Sequence, residues 1–201
     1  MTAHQPWGAL KHVLAVALPV VIAVVAACSS GDDDGAATDD RGDGTTTTTE
    51  PEDLVMEAAD FVNIHDMTAV RGFFVDNRLG HLDDALEIAN DTAGGGAYPV
   101  GTIIQLIPQE AMVKRAPGFD PDSNDWEFFS LNVTPEGTEI VTRGGAEVIN
   151  QFGGSCADCH KLAEPEFDFV CEKDHGCEPL PIGDDVIMSV QESDPRPRTS
   201  A

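Results

Sequence analysis

Five consecutive residues near the end of the chain, Cys156-Ala157-Asp158-Cys159-His160, carry its most specific chemistry. On a helical turn, positions i, i+3 and i+4 share one face, so two thiols and an imidazole can act on the same group. This pattern predicts one covalent haem c, with Cys156 and Cys159 bonded to its vinyl groups and His160 as the proximal iron ligand. Gly153 and Gly154 just before the motif allow the backbone to approach a flat macrocycle closely.

Two other kinds of site use the same residues. A structural zinc site would take Cys156 and Cys159 with two further ligands from His160, Cys171, His175 and Cys177. A thioredoxin-like redox pair would use the two motif cysteines alone. Haem is attached to c-type cytochromes outside the cytoplasm, whereas structural zinc fingers are mainly intracellular, so an export signal would favour haem.

The N-terminus carries such a signal. Residues 1–27 combine a short basic start at Lys11 with an apolar run over 13–25, which is typical of a secretory signal peptide. The following Ala26-Ala27-Cys28 resembles the lipobox of bacterial lipoproteins, which implies that cleavage leaves Cys28 as a lipidated first residue. The alternative is an uncleaved anchor with a buried Cys28. We therefore expect an extracytoplasmic protein that is lipid-anchored to a bacterial membrane.

Residues 28–53 then form an acidic, Thr-rich linker without apolar periodicity, which predicts disorder. The folded domain is expected over residues 54–190, and a disordered, Pro-rich tail over 191–201.

The remaining cysteines, Cys171 and Cys177, are predicted to form a disulfide, because an oxidising compartment favours pairing. With Cys28 lipidated and two cysteines bonded to haem, no thiol is then left over among the five of the chain. A pair of reactive thiols is the alternative.

The charge balance limits the partners. The chain has 36 acidic and 11 basic residues, a formal net charge of -25, which excludes nucleic acid as the default partner. A basic redox partner protein would be steered toward this surface at low salt. The alternative is a solvated acidic surface with no particular partner.

The periodicity of apolar residues predicts an α+β fold that is predominantly antiparallel β-sheet with short helices. Helical spacing occurs over residues 54–62 and again over 79–89, after which the glycines at 94–96 predict a mobile loop. Residues 102–107 read as a buried strand, and residues 126–133 and 138–142 read as a hairpin joined through Pro135 and Gly137.

The chain also resembles the cytochrome P-460 family over most of residues 61–183. The resemblance implies an antiparallel sheet that carries one C-terminal haem c, often in a homodimer. It rests on the haem motif together with Arg71-Gly72-Phe73-Phe74, Asn77, Leu79-Gly80-His81-Leu82, Tyr98-Pro99-Val100-Gly101-Thr102, Trp126-Glu127-Phe128-Phe129 and the run from His175 to Pro181.

Two chemistries occur in that family. Catalytic members oxidise hydroxylamine with a lysine cross-linked to the haem, whereas related β-type cytochromes c-prime lack the link and bind gases such as nitric oxide at an apolar iron face. Lys114 is the single lysine between Cys28 and Cys156, so it is the cross-link candidate. Its alternative is an exposed loop lysine beside Arg115.

The sequence does not identify the sixth iron ligand. Met112 is the preferred distal candidate because it lies next to the strand expected near the haem, and a distal pocket walled by phenylalanines would suit gas binding. The other candidates are Met67, Met188, His65, His81 and His175, and the wall candidates are Phe73, Phe74, Phe128 and Phe129.

The sequence therefore predicts a membrane-tethered monohaem c-type cytochrome for electron transfer or nitric-oxide-type ligand binding. A hydroxylamine-oxidising haem enzyme is the first alternative, and a metal-binding structural lipoprotein is the second.

Overall fold

Six antiparallel strands form one sheet in the computed structural model, which describes residues 54–199. Their spatial order, β1-β2-β3-β4-β5-β6, is the order of the chain, so each strand pairs with its sequence neighbours. The strands are β1 (Thr68–Val70), β2 (Phe73–Asn77), β3 (Thr102–Gln105), β4 (Glu110–Lys114), β5 (Trp126–Thr134) and β6 (Gly137–Gly144). An α+β fold that is mainly antiparallel sheet is thereby confirmed. The expected signal peptide, Cys28 and the linker to Asp53 lie outside the described residues.

The helices are short. They are α1 (Leu82–Asn90), α2 (Cys156–His160) and α3 (Asp184–Glu192), with 3-10 turns at Ala58–Asp60, Ile64–Asp66, Pro121–Ser123 and Pro165–Phe167. Within residues 54–199, none of the helices is long and apolar enough to cross a membrane.

The predicted hairpin is confirmed as β5 and β6. Thr134 pairs with Gly137, and Gly137 has φ of 137°, a value that suits a residue without Cβ. The predicted strand at 102–107 is β3, which ends at Gln105, two residues early.

The second predicted helix is also present, but α1 begins at Leu82 rather than Leu79. The Asn77 side-chain oxygen accepts from the backbone amides of Leu79 (2.8 Å) and His81 (3.0 Å), which fixes a turn before the helix. Gly80 lies in that turn with φ of 83°. Asp83 and Asp84 then occupy the first helical turn, where negative charge is favourable.

The first predicted helix, over residues 54–62, is wrong. Only the 3-10 turn at Ala58–Asp60 forms there, and Val55 of the expected apolar face is exposed. Arginine side chains take backbone carbonyls that a helix would use: Arg143 donates to Met56 at 2.9 Å, and Arg115 donates to Leu54. The segment is therefore an extended strap on the sheet.

The sheet buries both faces. One apolar cluster joins alternate residues of the central strands to α1 and α2; its sheet residues include Phe73, Val75, Ile104, Met112 and Phe128. The opposite cluster packs the N-terminal strap against the other face and contains Met56, Phe61, Ile103, Ala111, Val113, Phe129 and Leu131. We call the first the α2 face and the second the strap face.

Two segments expected to be mobile are packed. Gly96 donates to the Glu166 carbonyl at 2.8 Å, so the glycine loop lies against the turn at Pro165–Phe167. The expected disordered tail is wrong for residues 191–199, because α3 runs through Gln191 and the tail residue Arg196 is buried. Gln191 donates to the carbonyls of Gly72 and Leu106, both at 2.7 Å. Polar tail residues thus find backbone partners that sequence composition does not reveal.

Candidate functional site

The predicted haem motif forms α2, a helix of little more than one turn. Ser155 precedes it and its hydroxyl accepts from the Asp158 amide at 3.3 Å, which caps the helix. The Cys156 amide donates to the Val148 carbonyl at 3.0 Å, so the start of the helix is tied to the segment that follows β6. This geometry puts Cys156 and Cys159 on one side of a single turn.

The two motif thiols are free but differ in exposure. Cys156 is 7% exposed and belongs to the α2-face cluster, whereas Cys159 is half-buried. Burial, helped by the nearby Glu110, raises the pKa of the Cys156 thiol to about 12. At neutral pH this sulfur is protonated, so it is a weak nucleophile.

His160 is oriented by one backbone carbonyl. Its Nδ1 lies 2.7 Å from the Phe169 oxygen, and a carbonyl only accepts, so Nδ1 carries the proton. Burial lowers the pKa of His160, and the bond to Phe169 opposes only part of that effect, so the ring is neutral at pH 7. The Nε2 lone pair is therefore available to a metal.

Cys171 and Cys177 form a disulfide. The loop they close packs on the residues after α2: the Glu164 amide donates to the His175 carbonyl at 2.7 Å. Gly176 approaches the Leu162 carbonyl so closely that a Cβ would lie 2.9 Å from it. The disulfide loop is thus built against the C-terminal side of the motif.

The structure separates the candidates for the sixth iron ligand. Met112 is buried in the α2-face cluster together with Cys156. His175 is also buried; its Nδ1 lies 2.8 Å from the Val170 oxygen and its ring stacks on Phe167 at 3.6 Å. The others lie apart: Met67 packs on the strap-face cluster, His65 bonds to the Gln191 carbonyl, and His81 and Met188 are exposed.

The four candidate wall phenylalanines do not line one pocket. Neighbouring residues of a strand point to opposite faces of a sheet. Phe73 and Phe128 lie on the α2 face, and the Phe128 ring is 5.1 Å from the His160 ring. Phe129 lies on the strap face, and Phe74 packs against His65.

The reading of Lys114 as an exposed loop lysine is wrong. Lys114 ends β4, is 8% exposed, and donates to Asp168 Oδ1 at 2.7 Å and to the Asn124 carbonyl at 2.8 Å. Its ammonium group also lies 5.2 Å from the centre of the Trp126 ring. The neighbouring Arg115 is buried too, paired with Glu127. Both cations are held by buried carboxylates, a pairing that sequence spacing does not reveal.

An apolar edge flanks the motif. Three large side chains in the segments on either side of α2 are about half exposed, namely Ile149 (53%), Phe152 (49%) and Leu162 (52%). The Leu162 amide donates to the Cys159 carbonyl, and Ile149 pairs with Ser155, so this edge adjoins the two thiols. Such a surface suits contact with a porphyrin ring.

The donor set fits a c-type haem. Two free thiols stand one helical turn apart, and the next residue offers an unprotonated Nε2. The zinc alternative fits less well, because the disulfide removes Cys171 and Cys177 from its ligands. Over residues 54–199, no group of three or more His, Cys, Asp or Glu side chains is arranged to hold a metal ion.

Comparison with known proteins gives no match. No family model matches the chain, and neither a curated protein nor a solved structure is similar enough to count as a match. The resemblance to cytochrome P-460 therefore rests on the residues quoted above.

The sequence pattern did not reveal the role of Asp168 and Phe169, which lie next to His160 of α2. Phe169 supplies the carbonyl that orients His160, and Asp168 beside it accepts from Lys114. No motif marks a backbone carbonyl, so only the fold could reveal this contact.

Proposed function

We propose that this chain is an extracytoplasmic, membrane-tethered monohaem c-type cytochrome of the P-460-like kind. The observation that carries the proposal is the state of the four cysteines in residues 54–199. Cys171 and Cys177 are paired in a disulfide, and the two motif thiols stay free beside an imidazole whose Nε2 is available. A thioether-bound haem requires two free thiols at this spacing.

In the proposed cytochrome, Cys156 and Cys159 hold the cofactor and His160 is the proximal iron ligand. A bound haem supplies an iron that exchanges single electrons or takes up a small ligand. Phe128 packs against the His160 ring, and the Phe169 carbonyl keeps the proton on Nδ1. These contacts fix the ring in one orientation and one tautomer.

The distal side supports electron transfer or binding of a ligand of the nitric oxide type. Met112 is the candidate sixth ligand that shares a cluster with Cys156. Met112 pairs across the sheet with Ile104 and Phe128, and these apolar neighbours suit electron transfer or gas binding.

The hydroxylamine-oxidising alternative needs a lysine free to bond the haem. The Lys114 amine instead bonds to a buried carboxylate and a backbone carbonyl. This supports an unlinked haem. A cross-linked haem would give a ferrous band far to the red of ordinary haem c that disappears in Lys114→Ala.

The partners follow from charge and from the N-terminus. A basic redox protein complements a chain of net charge -25, and Cys28 would hold the protein to a lipid membrane. The resemblance to cytochrome P-460 adds a homodimer to the proposal.

Replacement of His160 tests the proposal. The chain is exported in a bacterial host that attaches haem c, and absorption spectra are recorded for the oxidised, reduced and nitric-oxide-treated protein. We expect a covalent haem in the wild type and loss of the native Soret band in His160→Ala, because the proximal ligand is gone. His81→Ala is the control and should keep the wild-type spectrum, since His81 is exposed at the start of α1.

An unchanged Soret band in His160→Ala would contradict the assignment. Purified protein that contains zinc and no covalent haem would favour the metal-binding structural lipoprotein instead.

A further inference from the structure

The segment from Asp168 to Val170, which we call the carbonyl strap, holds two histidines with two successive backbone oxygens. Phe169 accepts from His160 Nδ1 at 2.7 Å, and Val170 accepts from His175 Nδ1 at 2.8 Å. The position of this backbone therefore decides where the His160 ring points.

The carbonyl strap has an unfavourable backbone conformation. Asp168 and Phe169 have φ of 49° and 64°, the left-handed region that residues with a Cβ rarely adopt. Two such residues in succession persist only where the surroundings hold them.

Asp168 supplies those contacts. Its side chain is 2% exposed, and Oδ1 accepts from Lys114 Nζ at 2.7 Å and also from the Asn124 amide. Its Oδ2 accepts from the Tyr98 backbone amide at 2.7 Å. The carbonyl of Asp168 accepts from Trp126 Nε1 at 2.7 Å. Partners from three separate segments thus fix this one residue.

A buried ion pair is a weak source of stability, because desolvation offsets much of its attraction; its best-attested benefit is a single, specified conformation. We propose that the Lys114–Asp168 pair is a positioning device that sets the Phe169 carbonyl and, through it, the orientation and donor strength of His160. This inference rests on the proposed function, since it concerns His160 as an iron ligand.

The device has a chemical consequence. A hydrogen bond from Nδ1 to a carbonyl makes an imidazole a stronger donor to iron, which stabilises the oxidised form. If the carbonyl strap relaxes and this bond weakens, the reduction potential of the haem rises.

Two variants separate positioning from simple charge. Asp168→Asn removes a negative charge and Lys114→Met removes a positive charge, so electrostatics alone shifts the potential up in the first and down in the second. Loss of positioning raises the potential in both. We therefore expect an upward shift in Asp168→Asn and, against its own charge effect, in Lys114→Met.

The control is Glu127→Gln. Glu127 is equally buried and pairs with Arg115 and Arg143, but its contacts lie away from α2 and the carbonyl strap. This variant should lose stability with little change in potential. Each protein is first shown to carry covalent haem by its pyridine haemochrome spectrum, and the potential is then measured by spectroelectrochemical titration.

The outcomes are distinct. Opposite shifts in Asp168→Asn and Lys114→Met, or no shift in Lys114→Met, would overturn the positioning role while leaving the cytochrome assignment intact. Wild-type protein without covalent haem would overturn the proposed function itself. If Asp168→Asn does not fold, Lys114→Met alone decides, because the two explanations predict opposite signs for it.

Discussion

Glu110 is a carboxylate whose ionised form is disfavoured by burial. It begins β4, and its side chain accepts a hydrogen bond from the Gln151 amide at 3.2 Å. Burial raises the pKa of Glu110, and this hydrogen bond only partly opposes the shift. A folded-state pKa above the unfolded value means that the ionised form costs stability at neutral pH.

Glu110→Gln should therefore raise the free energy of unfolding at pH 7. The gain should vanish as the pH falls well below the unfolded value of 4.5, because Glu110 is then neutral in both states. Urea titrations at the two pH values measure the difference. Glu136→Gln in the exposed hairpin turn is the control and should change stability by less than about 0.5 kcal/mol. Equal gains at both pH values would contradict the explanation.

The grouping of Cys156, Cys159 and His160 could be predicted from sequence, but the residues that surround them could not. The spacing of Cys156, Cys159 and His160 is local and is visible in the printed chain. Lys114 and Asp168 are 54 positions apart, and their pairing follows only from the fold. The distinction between Phe128 and Phe129 needed the strand register, which the sequence pattern did not supply.

The glycine loop after α1 packs closely against the turn at Pro165–Phe167. A Cβ on Gly95 would lie 2.2 Å from the Glu166 carbonyl oxygen, and Gly95 has φ of 58°. The loop therefore needs glycine both for its backbone angle and for space. The run of glycines predicted a mobile loop, because composition shows that side chains are absent. It does not show that another segment packs into the space they would occupy.

Gly95→Ala should lower the stability by about 2 kcal/mol or more, since either the loop or the turn has to move. Gly118→Ala is a matched control: its φ is 89°, but no atom lies within 4 Å of the added Cβ. The control should cost about 1 kcal/mol from its backbone conformation alone. Thermal unfolding of both variants tests this, and an equal loss in the two would rule out the steric explanation.

For the elements themselves, prediction succeeded where the pattern was local. The hairpin of β5 and β6 has both its strands and its turn within one stretch of sequence. The helix expected at 54–62 failed because distant arginines, Arg143 and Arg115, bind the carbonyls of Met56 and Leu54. Local apolar spacing carries no information about such partners.

Within residues 54–199, the last residues tie the start of the domain to β6. Arg196 is buried and donates to the Phe61 carbonyl near the start of the domain and to Thr138 in β6. Asp194 holds Arg196 at 2.7 Å and accepts from the Ile64 amide at 3.0 Å. Burial would raise the pKa of Asp194, but these hydrogen bonds outweigh it and keep the pKa below its ordinary value.

Asp194→Asn should lower the free energy of unfolding at pH 7 by roughly 2 kcal/mol, because charge-assisted hydrogen bonds are lost. A depressed pKa gives stability that is present above the unfolded value of 3.8 and is lost as the pH falls below it. The free energy of unfolding of the wild type should therefore approach that of the variant as the pH falls. Urea titrations from pH 7 to below pH 4 check this, and a constant difference across that range would contradict it.

The burial of Cys156 also sets an order of events during maturation. Cys156 is buried in the α2-face cluster, and its amide, at the start of α2, is bonded to the segment after β6. A prosthetic group can bond to the Cys156 sulfur only while the chain is still open there. Attachment of the proposed haem would therefore have to come before α2 docks on the sheet.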